Sequence, residues 1–118
     1  MKTEDYYECK LYMGSETFFD DKQFSQEEVE LFIGTVQDEY DILIPIRITP
    51  VTFICGSDYK ESGWEIAAIN YPKVKAKPPA IDGFMKHLAE KLLSRFNQYT
   101  ICVMDSEFVT MFKGNKYG

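Results

Sequence analysis

Histidine, cysteine and positive charge are all scarce in this chain of 118 residues, and each scarcity removes a class of function. One histidine, His87, cannot build the multi-histidine sites that hold catalytic zinc or iron. Three cysteines, Cys9, Cys55 and Cys102, are odd in number and form no CxxC, which argues against a disulfide framework and a zinc ribbon. All three lie in strand-like apolar runs and read as reduced, buried thiols. Nothing around them supplies the electropositive setting that a reactive thiol needs. No apolar run approaches the ~20 residues that span a bilayer. Met1 to Asp5 lacks the apolar core of a signal peptide, so a soluble cytoplasmic protein is expected. Thirteen basic residues against 19 acidic ones give a net charge of −6, a poor basis for neutralising phosphates. No catalytic or metal signature stands anywhere in the chain.

What is present is an ordinary globular mix, 45% hydrophobic, of a length that suits one domain over residues 1–118. Aromatics are abundant at 15%, with nine Phe and eight Tyr, so some Tyr rings are expected at a surface or interface. Charge is uneven. Residues 1–41 carry three lysines and twelve carboxylates, a net of −9, and the remainder carries +3.

The periodicities alternate between two kinds. Residues 7–13 alternate, with Tyr7, Cys9, Leu11 and Met13 on one side, as in a half-buried strand. Ser25-Gln26-Glu27-Glu28 is a capping box, and Phe24 with Val29 makes a hydrophobic staple. Val29, Phe32, Ile33, Val36 and Tyr40 then recur at helical spacing. Gly34 inside this helix costs ~1 kcal/mol against alanine and is read as allowing close approach to a strand. Ile42 to Gly56 is β-branched but contains Pro45 and Pro50, which predicts an edge strand or one interrupted near Pro50. Residues 57–63 read as a turn, and Trp64 to Tyr71 as the third strand. Pro78-Pro79 opens a second helix, whose apolar stripe is Ile81, Phe84, Met85, Leu88, Ala89, Leu92 and Phe96. Tyr99 to Met104 is the fourth strand, Phe108 to Phe112 a short fifth, and residues 113–118 a frayed tail.

Strand–helix–strand–strand–helix–strand predicts an α+β, ferredoxin-like two-layer sandwich: an antiparallel sheet with both helices on one face. In that arrangement the first and third strands are central and the second and fourth lie at the edges. The whole layout, including Phe96-Asn97-Gln98 leading into the last long strand, resembles small uncharacterised bacterial or phage α+β proteins. A shorter resemblance concerns RNA-recognition-motif domains. Leu11-Tyr12-Met13-Gly14 is similar to their first motif, and Ser62-Gly63-Trp64-Glu65-Ile66-Ala67 stands in the place of their second. It implies bases stacked on Tyr12 and Trp64 from one sheet face. Ser62 and Ile66 depart from the pattern, where a basic residue and a second aromatic belong.

The candidate sites follow. Tyr12, Trp64 and Tyr71 are the candidate interface or ligand residues. Glu27, Glu30, Asp38 and Glu39 make an acidic helix face, suited to a basic partner or to solvent alone. Lys73, Lys75 and Lys77 alternate before the second helix and are the anion-site candidates. His87 lies about 140° from the apolar stripe, at ~100° per residue, and is expected at the surface. Cys9 and Cys102 fall on neighbouring strands.

With no constellation for chemistry, the expected function is that of a small cytoplasmic, non-enzymatic interaction protein, such as a phage or mobile-element regulator or inhibitor acting by protein–protein contact. It would be a homo-oligomer, with a dimer favoured, and would need no metal and no cofactor. Nucleic-acid and membrane partners are not expected. One alternative is a small-molecule enzyme or sensor of the dimeric ferredoxin-like type, with a pocket between the sheet and the Lys73–Lys77 loop. The other is RNA binding through Tyr12 and Trp64.

Overall fold

The computed structural model describes residues 7–16, 22–41, 44–69, 76–105 and 108–114. Seven elements follow one another: β1 (Glu8–Gly14), α1 (Gln26–Asp38), β2 (Arg47–Cys55), β3 (Tyr59–Ile69), α2 (Pro78–Arg95), β4 (Thr100–Met104) and β5 (Val109–Lys113). The strands form one antiparallel sheet in the order β2-β3-β1-β4-β5. The fold is thus α+β, a five-stranded antiparallel sheet with two helices. β1 and β3 are neighbours inside it and β2 is an edge. The other edge departs from expectation: β5 pairs outside β4, so the five-strand order differs from the four-strand ferredoxin-like arrangement.

Alternation decides which face is buried. Cys9, Leu11 and Met13 on β1, Trp64, Ile66 and Ala68 on β3, and Ile101 and Val103 on β4 enter one core. Val29, Ile33 and Val36 of α1 and the Ile81, Phe84, Met85, Leu88, Ala89 and Leu92 stripe of α2 meet them there. Phe96, at the end of α2, is fully buried, with Phe24 and Phe32 edge-on at centroid distances of 4.6 and 5.6 Å. The capping box forms: Ser25 Oγ accepts from the Glu28 amide at 3.2 Å, and Glu28 Oε1 accepts from the Ser25 amide at 3.3 Å. Pro78 starts α2, where a missing amide hydrogen costs nothing.

Three local readings need correction, and the alternatives left open at Pro50 resolve to the edge strand. Residues 59–63 are not a turn. They pair with Val51–Cys55, and the turn shrinks to residues 56–58, with Gly56 left-handed at φ 75°. Pro50 does not interrupt β2, because on an edge strand the missing donor can face away from the ladder. Gly34 meets nothing within 4 Å of where its Cβ would stand, so it serves no close approach. Cys55 is exposed rather than buried, because it closes the β2–β3 hairpin opposite the exposed Tyr59. Among the described residues, no helix is long and apolar enough to cross a membrane.

Candidate functional site

Antiparallel pairing brings the end of β1 beside the starts of β3 and β4. Gly14 lies opposite Gly63, and Tyr12 opposite Cys102. Gly63 permits this meeting, since a Cβ there would run into the Met13 carbonyl oxygen. Beyond Gly14 the chain is held to the sheet: the Ser15 amide donates to Ser62 O at 2.9 Å. The result is an open cleft of about 810 Å³ at this end of the sheet, in the size range of small-molecule sites. Its walls are Gly14, Ser15 and Glu16 from β1 and the following turn, Tyr59 to Ser62 from β3, Gln98 to Thr100 from the start of β4, and Gln23.

The polar groups of the cleft are positioned from several sides. Tyr59 and Glu61 are two residues apart on one strand and therefore share a face. The Tyr59 hydroxyl donates to Glu61 Oε2 at 2.7 Å. That bond, with the Glu61 charge, raises the Tyr59 pKa above its ordinary value. Tyr12 stands nearby, half-buried, with Phe53 edge-on at 4.5 Å. Burial first, then the Glu61 charge and Tyr59, pushes its phenol up to about 12. Gln98 is 5% exposed. Its Nε2 donates to Glu16 O at 3.1 Å and Phe96 O at 3.2 Å, which ties the β1 turn to the end of α2. Asn97, at φ 49°, makes the left-handed step that turns the chain from α2 into Gln98. Lys113 Nζ lies 5.3 Å from the centre of the Tyr99 ring on the rim. The cleft therefore offers carboxylates, amides, hydroxyls and tyrosine rings, with Lys60 the one cationic lining residue among the described residues.

The residues singled out from sequence are dispersed. Tyr12 reaches the sheet face away from the helices, and its hydroxyl is buried with no hydrogen bond among the described residues. Trp64 faces the opposite way. It is 6% exposed, it packs in the core, and its Nε1 donates to Gln26 Oε1 at 3.1 Å. The register pairs Tyr12 with Glu65 and Trp64 with Met13, so the two aromatics cannot share a stacking surface. Cys9 and Cys102 likewise point to opposite faces, because Cys102 pairs with Tyr12. Glu27, Glu30, Asp38 and Glu39 are exposed on α1, and none lines the cleft. Lys77 is exposed at the start of α2 and is also absent from the cleft, while Tyr71, Lys73 and Lys75 lie outside the described residues. His87 is half-buried rather than fully exposed, since its ring rests 5.2 Å from Tyr40. Among the described residues, no group of three or more His, Cys, Asp or Glu could hold a metal ion.

The sequence reading missed Gly14, Tyr59, Glu61 and Gln98 as site residues. A turn assigned to 57–63 hid the period-2 row Tyr59, Glu61, Gly63, Glu65. Gln98 carries no local signal, because its partners come from 2 and 82 residues away.

No protein-family model matches the sequence, and no curated protein matches it. Solved structures do match. A phage SAM lyase in complex with S-methyl-5'-thioadenosine superposes with a TM-score of 0.72 at 15% identity, covering 96% of this chain and 93% of that one. A phage SAM lyase in its apo state gives 0.72 at 14% identity, covering 95% and 92%. The fold is similar to that of a phage SAM lyase. This finding overturns the expectation of a non-enzymatic interaction protein, because the architecture shared over nearly the whole chain is carried by an enzyme.

Proposed function

We propose that this protein is a small-molecule enzyme that binds S-adenosylmethionine, or a close adenosyl relative, in the cleft between β1, β3 and β4, and breaks its sulfonium–carbon bond. The observation that carries the reading is the lining of that cleft. A sulfonium nucleoside presents a cation, a flat base, a ribose and an amino-acid end. The cleft presents Glu61 and Glu16, the Tyr59 and Tyr99 rings, and the hydroxyls of Ser15, Ser62 and Thr100. Carboxylates and ring faces attract a cation. The whole-chain likeness to a SAM lyase supports the same ligand class. The first four strands, in the order β2-β3-β1-β4 with both helices on one face, read as a ferredoxin-like sandwich that β5 extends.

The chemistry asks little of side chains beyond binding and orientation. A sulfonium is already a good leaving group. When its bond to the aminobutyrate carbon breaks, the electron pair goes to sulfur and a neutral thioether, S-methyl-5'-thioadenosine, departs. The carbon end must gain a nucleophile or lose a proton in the same step. The protein's contribution is to hold the two ends of the substrate so that this geometry is reached.

Incubation with S-adenosylmethionine followed by chromatography tests the reading. Release of S-methyl-5'-thioadenosine above the spontaneous rate, lost in Glu61→Gln, is the expected result. Binding without release would make the protein a sensor of the same ligand. Absence of both binding and release would overturn the proposal.

A further inference from the structure

We propose that the amino-acid end of the ligand pairs with the main chain of Lys60, as a further residue of β1 would, with the Lys60 ammonium beside its carboxylate. The inference rests on the cleft being an adenosyl-ligand site, and it says which part of that ligand meets β3.

β3 outlasts β1. The ladder between them ends where Gly14 meets Gly63, and β3 continues back to Tyr59. Alternation fixes where the remaining main-chain groups of β3 point. Pro50 has no amide hydrogen and stands opposite Trp64, so the even-numbered residues of β3 exchange no bonds with β2. They turn toward β1 instead, as the bond from the Ser15 amide to Ser62 O shows. Lys60, two residues from Ser62 and opposite Ile54, directs its N–H and C=O the same way. There β1 has left the sheet. The Ser15 carbonyl accepts from the Phe24 amide, and Glu16 bridges to Gln23. Among the described residues, no strand stands opposite Lys60 on this side, and the open cleft takes its place.

A donor and an acceptor side by side on a free strand edge call for an acceptor and a donor at the spacing of a residue. An α-amino acid has that spacing, because its nitrogen, α-carbon and carboxyl carbon are the atoms that a residue places in a ladder. The α-ammonium donates to Lys60 O, and the carboxylate accepts from Lys60 N–H. The charges agree. Lys60 is the one cationic lining residue among the described residues, and it attracts the carboxylate. Glu16 and Glu61, also in the lining, favour the ammonium. A ribose or a base edge on the same main chain would leave the lysine charge without a partner. The adenosyl group is left to the rest of the cleft.

Amide hydrogen exchange and calorimetric titration with S-adenosylhomocysteine and S-methyl-5'-thioadenosine test the pairing. Both are adenosyl thioethers, and only the first has an amino-acid end. Neither carries a sulfonium, so turnover does not intrude. The wild type should bind S-adenosylhomocysteine roughly ten- to hundredfold more tightly, the range of a charge-assisted hydrogen bond. At saturation this ligand should slow exchange of the Lys60 amide, and S-methyl-5'-thioadenosine should not. Lys60→Pro removes the N–H and the ammonium and leaves the β2 ladder intact, as Pro50 does on the neighbouring strand. The preference should vanish there while S-methyl-5'-thioadenosine binds as before. Lys60→Met keeps the N–H and should lose only part of the preference. Equal affinities in the wild type, a Lys60 amide that S-adenosylhomocysteine does not protect, or a preference that persists in Lys60→Pro would overturn the pairing and leave the cleft reading intact. Binding of neither ligand would remove both together. The wild-type measurements decide the matter even where Lys60→Pro does not fold.

Discussion

The Tyr59 hydroxyl and the Glu61 carboxylate are joined by a 2.7 Å hydrogen bond along one face of β3. Both residues lie on the cleft, and Tyr59 is 53% exposed. Tyr59→Phe deletes the bond and keeps the ring. Stability should change by no more than ~0.5 kcal/mol, as for other exposed positions. Affinity for S-adenosylmethionine should fall about three- to tenfold as the carboxylate loses its fixed orientation. Urea denaturation and calorimetric titration measure the two. An unchanged affinity would remove Tyr59 from the site.

Gly63 is a packing requirement of the β1–β3 pair rather than a turn residue. Gly63→Ala drives a methyl group into the Met13 carbonyl and the Gly14 Cα. Backbone atoms cannot move aside as a flexible side chain can. The expected loss is ~2–4 kcal/mol, seen as a lower urea midpoint. A variant as stable as the wild type would show that the strands separate more easily than this register implies.

Cys9 is fully buried, and burial, followed by the charges of Asp82 and Asp105, pushes its thiol from 9.0 up to about 12. The folded thiol keeps its proton where the unfolded one has lost it. Its contribution to stability is therefore complete below pH 9 and is lost as pH rises toward 12, by at most ~1.4 kcal/mol per pH unit. Tyr12, raised from 10.0 to about 12, adds the same sign above pH 10. Urea midpoints at pH 8, 9.5 and 10.5 should fall in that order, and less steeply in Cys9→Ala. A flat profile in the wild type would contradict the burial of these groups.

The α1 cap is distant in function from the cleft. Ser25→Ala removes the acceptor for the Glu28 amide and should cost ~1 kcal/mol of stability. Ligand affinity should stay within twofold of wild type. A Ser25→Ala variant that folds normally but fails to bind would show that the cap acts on the site through Gln23 and Phe24, which meet Glu16 and Ser15 of the cleft wall.

Legibility followed the range of the interactions. The α1 start was readable at residue level, because the capping box and staple involve neighbours. The α2 stripe was readable because six core residues repeat at one period. The edge position of β2 followed from Pro50. The cleft was not readable, since it exists only where Gly14, Glu61 and Gln98 meet, and those residues are 37 to 84 positions apart. Trp64 misled for a related reason. A lone tryptophan looks like a surface anchor until the register with Met13 turns it inward, where Gln26 satisfies its indole hydrogen. The expectation of a non-enzymatic protein rested on the absence of a catalytic motif, a signal that a reaction carried by binding and orientation alone would not leave in the sequence.

The central claim is that the end of the sheet between β1, β3 and β4 takes an adenosyl ligand. A map of backbone amide chemical shifts on adding S-methyl-5'-thioadenosine tests it most directly. Changes concentrated at Gly14, Ser15, Tyr59 to Ser62 and Gln98 to Thr100, with the amides of Glu27, Glu30 and Asp38 unmoved, are the predicted result. No changes at saturating ligand, or changes centred on α1, would contradict the account.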